Sequence, residues 1–150
     1  MKITLLALTL VAASLGSQSG AQQISKCDAR AQAANIAEPW SANSRSFADG
    51  DVRLTVLETP GSETAAFRIL ILTPPRNALG ERLCRIISYQ REAGFFGVTL
   101  SWMGTSYDPL YGLVFDIPVQ IFVASTGKNK PARLHLTVDR SIGAIGAGLR

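Results

Sequence analysis

The chain has 150 residues, 47% of them apolar and 17% charged, with 15 Lys and Arg against 11 Asp and Glu. Charges of both signs are scattered along it with no block of one sign, so the small positive excess reads as solubility rather than as the clustered basic face that nucleic acid requires. A length of this order suits one domain with a core of its own.

Residues 1–21 read as an export signal. Lys2 precedes an apolar run from Ile3 to Leu15, broken only by Thr4, Thr9 and Ser14. Ser19 and Ala21 place small side chains where a signal peptidase cuts, which predicts cleavage before Gln22. The run is about 13 residues, short of the ~20 that a membrane-spanning helix needs. The mature chain, residues 22–150, is expected to be a single β domain without a transmembrane segment, located in the periplasm or secreted. It carries two cysteines, Cys27 and Cys84. Export and the even count predict that they pair, the alternative being two buried thiols. The loop closed would hold 56 residues, worth ~4 kcal/mol by chain-entropy arithmetic.

Ser25 to Ile36 is expected to form a short helix, since Ser25 and Asp28 suit a capping arrangement and Ala29, Ala31, Ala33 and Ala34 favour helix. Its apolar face is mostly alanine, so the Cys27 bridge would have to hold it. Pro39 ends it. Beyond Asp49-Gly50-Asp51, read as a turn, the period becomes two. Val52, Leu54 and Val56 alternate with Arg53 and Thr55. Pro60-Gly61 turns the chain. Residues 66–73 are apolar on both faces at Leu70, Ile71 and Leu72, as for a central covered strand, and Pro74-Pro75-Arg76-Asn77 is expected to break it.

Residues 83–89 make the next strand and residues 95–102 another, with Phe96, Val98, Leu100 and Trp102 on one face. Leu113, Phe115, Ile117, Val119, Ile121 and Val123 share one parity, predicting a long half-buried strand. Pro118 cannot donate to a ladder, so that strand should be bulged or at an edge near its middle. Residues 126–130 are a polar loop. Leu134, Leu136 and Val138 form a further strand, residues 139–143 a hairpin loop, and Ile145, Ala147 and Leu149 one side of the last strand. Seven or eight strands with no long helix between them predict a mainly β fold: an antiparallel β-sandwich or partly open barrel with a short N-terminal helix.

Chemistry-bearing motifs are sparse, and no catalytic residue, cofactor or metal site is assigned. His135 is the single histidine and points away from the core, which argues against zinc and against a histidine-based triad built on any other residue. Asp49-Gly50-Asp51 has too few ligands for a calcium loop. Glu58, Glu63, Glu81, Glu92, Asp108 and Asp116 could serve two-carboxylate hydrolysis by type alone. The glycines of residues 143–148 alternate with apolar residues and do not fit a dinucleotide fingerprint. Arg82, Arg85 and Arg91 do not share a parity and read as solvated. Five of the eleven aromatics fall within residues 95–111. There residues 102–112 are expected to be a hairpin loop. Trp102, Tyr107 and Tyr111 are the candidate binding residues, against the alternative that Trp102 and Phe96 are core and the tyrosines cap an open end.

The stretch from Glu38-Pro39-Trp40 through Ser46-Phe47-Ala48-Asp49-Gly50, then Ile71-Leu72-Thr73-Pro74-Pro75, Cys84-Arg85, and Leu136-Thr137-Val138-Asp139 to Gly143-Ala144-Ile145, resembles small exported proteins of marine-type alphaproteobacteria. The resemblance covers most of the mature chain. It implies a Gram-negative periplasm and brings no activity or site residue. The expected role is non-enzymatic binding of a periplasmic protein or envelope component through loops. The alternative is a carrier of a small apolar ligand between the sheets, and a small hydrolase is the third class.

Overall fold

The computed structural model describes residues 22–91 and 93–150; the expected export signal and Glu92 lie outside them. Strands β1 (Gln23–Lys26), β2 (Ser44–Phe47), β3 (Val52–Glu58), β4 (Phe67–Arg76) and β5 (Arg82–Ser88) form one antiparallel sheet in the order β1-β5-β4-β3-β2. Strands β6 (Gly97–Val98), β8 (Gly112–Val123), β9 (Lys128–Asp139) and β10 (Ala144–Leu149) form the second, ordered β10-β9-β8-β6, and β7 (Gly104–Asp108) pairs with β8 beside β6. The sheets do not close into a barrel, so the fold is the sandwich of the two expected forms.

Period-two alternation builds the interior. Val52, Leu54, Val56, Ile69, Ile71 and Ile87 of the first sheet meet Phe115, Ile117, Val119, Leu134, Leu136 and Val138 of the second in one buried cluster. Phe47 and Phe115 cross between the sheets with ring centroids 4.8 Å apart. Each such side chain contributes about 1.5–3 kcal/mol by leaving water.

The outer face of the first sheet carries a second, smaller cluster of Leu57, Leu70 and Ile86. The N-terminal segment covers it. After β1 pairs with β5, the chain crosses the sheet and bridges Ile36 to Leu57 of β3. Ala31, Ile36 and both cysteines pack on the cluster. Cys27 and Cys84 are joined, with Cα atoms 5.5 Å apart. Leu70 is therefore covered on the outside as well, which explains why β4 is apolar on both faces.

The structure corrects four local expectations. The helix over residues 25–36 is replaced by the end of β1 and two three-residue 3-10 turns, Ala29–Ala31 and Ala33–Asn35. An alanine face buries too little to hold a helix, whereas pairing with Arg85–Ser88 satisfies the backbone of residues 23–26 and the disulfide ties the next residue down. Asp28 caps the first turn by accepting from the Arg30 N–H at 2.9 Å. Secondly, β4 runs on through Pro74 and Pro75 to Arg76, with a register shift after Thr73 that accommodates the missing donors. Thirdly, residues 95–102 are not one strand. Phe95 is buried, β6 is two residues long, and Leu100–Trp102 is a 3-10 turn. Finally, residues 102–112 are not one loop: Gly104–Asp108 forms strand β7, and Pro109–Tyr111 is the turn into β8. With these extra short strands the described residues hold ten strands rather than seven or eight.

Candidate interaction surface

Register places four hairpin turns at one end of the sandwich. Val52 opens β3 beside the C-terminal half of β4, so the turn of residues 48–51 lies next to the β4–β5 hairpin of residues 77–81. Leu113 pairs with Val138, so the β7–β8 turn of residues 109–111 lies next to the β9–β10 turn of residues 140–143. One side-chain contact links the turns of the first pair and another links the two pairs. Arg82 Nη1 donates to the Gly50 carbonyl at 2.9 Å, and Arg140 Nη1 approaches Asp51 Oδ2 at 3.5 Å. Gly143 closes the contact between sheets. Its φ is +71°, and a Cβ there would lie 2.8 Å from Pro75 Cδ and 2.9 Å from Leu83 Cδ2, so a side chain would be both strained and obstructed.

Three of these turns share one construction. An Asn or Asp at the first position accepts the backbone N–H two residues on, the side-chain turn that short polar residues favour. Asn77 Oδ1 accepts from Leu79 N and Glu81 N, both at 2.9 Å. Asp108 Oδ1 accepts from Leu110 N at 2.7 Å and Tyr111 N at 3.1 Å. Asp139 Oδ1 accepts from Ser141 N at 2.8 Å and from the Ser141 hydroxyl at 2.6 Å. Those donors hold the Asp139 carboxyl below the usual carboxylate range, the hydroxyl being the larger influence.

The apolar residue that follows each lock stands in solvent. Leu79 is 84% exposed, Leu110 80% and Ile142 71%. Tyr107 and Tyr111 are exposed beside them, so five of the seven exposed large apolar residues among the described ones gather at this end. Arg76 is committed to the scaffold, donating to the Gly80 carbonyl at 2.8 Å. The result is a set of apolar tips on pinned turns, rimmed by charges of both signs. An aromatic and aliphatic centre within a polar rim is the composition of a protein contact surface.

Trp102 does not belong to this end. Tyr107 pairs with Leu113, while Trp102 lies between Thr99, opposite Pro118, and Gly104, opposite Asp116, three to five positions further along β8, roughly 10–17 Å at ~3.4 Å per residue. It is 79% exposed, contrary to the reading that placed it in the core with Phe96. In a 3-10 turn successive side chains are ~120° apart, so Leu100, buried at 2% exposure, turns Trp102 outward. The sequence reading missed Leu79, Leu110 and Ile142. For Leu110 and Ile142 the signal was present in Asp108-Pro-Leu-Tyr-Gly112 and Asp139-Arg-Ser-Ile-Gly143, two pentapeptides with the same acid-to-glycine spacing.

The remaining candidates are dispersed. His135 Nδ1 lies 3.0 Å from Asp116 Oδ1 across β8 and β9. Glu81 accepts from Asn77 Nδ2 at 2.7 Å, and Asp108 is the turn lock described above. Glu58 and Glu63, with Glu38, line an open cleft of about 760 Å³ under the β3–β4 loop. Among the described residues no group of three or more His, Cys, Asp or Glu side chains could hold a metal ion, and no helix is long and apolar enough to cross a membrane. No protein-family model, curated protein or solved structure matches the chain.

Proposed function

We propose that this is a non-enzymatic periplasmic binding protein whose hairpin end docks on a protein or envelope component. The observation that carries this reading is the placement of Leu79, Leu110 and Ile142 in solvent directly after side-chain-locked turns. Pinned tips lose little freedom on binding, which is how preorganised surfaces gain affinity. The signal-like residues 1–21 and the Cys27–Cys84 bridge support an exported, oxidising location. The inner faces of the two sheets meet in one buried cluster, which favours contact through loops over carriage of a ligand between sheets.

The test is affinity capture from periplasmic extract with wild type and with Leu79→Ser/Leu110→Ser and Tyr107→Ser/Tyr111→Ser variants. Specific partners lost from both variants, at unchanged melting temperature, support the reading. Capture that is the same for all three proteins overturns it, as does a fall in melting temperature with capture intact, because the tips would then serve stability.

A further inference from the structure

On the outer face of the second sheet, away from the hairpin end, Trp102 stands over a cleft of about 410 Å³ floored by Pro118, Gln120 and Gly97. That volume is within the ~300–1,000 Å³ usual for small-molecule sites. The far wall is Arg133 and Arg150. Their backbones exchange both hydrogen bonds, Arg150 N to Arg133 O at 2.9 Å and Arg133 N to Arg150 O at 3.2 Å. They are therefore directly opposed on neighbouring strands, with side chains on one face. Like charges so placed repel. Among the described residues neither guanidinium makes an ion pair or hydrogen bond. The neighbouring row of the face holds Asp116, which faces His135 instead.

We propose that this cleft binds a ring carrying a carboxylate. The indole offers a flat apolar surface on which one face of a ring can stack. The two opposed guanidiniums supply forked donors matched to a carboxylate, and an anion there relieves their repulsion. Two kinds of compound share this chemistry, sugar acids and aryl carboxylates, and both are to be tested.

The full mature protein is titrated with galacturonate oligomers and with a phenyl carboxylate, using neutral glucose oligomers and the phenyl carboxamide as controls, by calorimetry and tryptophan emission. Trp40, also exposed, is replaced by Phe so that emission reports Trp102. At least one acid binds with a Kd below about 1 mM, its neutral counterpart binds at least about tenfold more weakly, and whichever acid binds identifies the source. Trp102→Ala and Arg133→Gln each weaken that acid about tenfold or more with unchanged melting temperature. Leu79→Ser/Leu110→Ser leaves it unchanged, which separates this site from the hairpin end. Equal affinity for acid and neutral forms, equal affinity in the Trp102 or Arg133 variant, or no saturable binding of either acid overturns the proposal.

Discussion

The Thr99 amide donates to the Pro118 carbonyl at 3.0 Å, and Pro118 has no N–H with which to return the bond. The β6–β8 ladder stops at that pair. The chain leaves the sheet as the Leu100–Trp102 turn and rejoins β8 as β7, with Gly104 opposite Asp116. On its other side Pro118 faces Arg133, whose backbone groups point to Arg150, so β9 loses nothing. The proline therefore ends one neighbour of β8 without weakening the other, and the gap it leaves holds the exposed indole.

Replacing Pro118 with Val restores a donor opposite the Thr99 carbonyl. The expected result is a protected amide at position 118 and a change in Trp102 emission as the turn shifts. Stability should move by no more than about 1 kcal/mol. Hydrogen exchange by NMR, with fluorescence of the variant, checks this. An unprotected amide at 118 with unchanged emission would show that the proline does not set the turn.

The disulfide holds the N-terminal segment across the outer face of β4, closing a sequence separation of 57. Replacing both Cys27 and Cys84 with Ala should lower unfolding free energy by about 2–5 kcal/mol. Leu70 and Ile86 should lose cover first, since Ala31 and Ile36 pack on them from that segment. Urea unfolding measures the first effect and exchange protection in β4 and β5 the second. A loss confined to residues 22–37 would show that the segment is dispensable to the sheet.

Asp28 gives the stability a defined pH dependence. Hydrogen bonds from the Arg30 side chain, foremost, and from its backbone N–H lower the carboxyl from 3.8 to about 2. The folded state thus holds this proton less tightly than the unfolded chain does. The stabilisation is present above about pH 4 and is lost as pH falls towards 2. Asp28→Asn, which removes the titration, should flatten that part of the stability curve. The difference between wild type and variant should be small, because the pair is exposed and screened by solvent. Chemical denaturation at pH 5, 4, 3 and 2 reads it, and parallel curves for the two proteins would count against the Arg30 contact.

Alternation alone made the antiparallel β architecture legible, leaving sandwich or partly open barrel for the structure to decide. Residues 113–123 and 134–138 could bury their apolar side chains only as strands, because a period of two puts every second side chain on one face. Polar residues and glycines between such runs marked the turns at Pro60-Gly61 and residues 139–143. Pro118 announced an interruption, since the loss of a donor is a property of the residue itself. These features are local, and a sequence carries local chemistry directly.

What tertiary structure decided was which partners met. The alanine-rich residues 29–34 have helical propensity, yet they form only short 3-10 turns, because the preceding residues pair with β5 and Cys27 is bonded to Cys84. Trp102 shares the parity of Leu100 in sequence, yet faces solvent because the residue opposite its chain is a proline distant in sequence. The gathering of Leu79, Leu110 and Ile142 at one end, and the opposition of Arg133 to Arg150, depend on strand order and register. Both are set by long-range burial of whole faces, which no short window of residues contains.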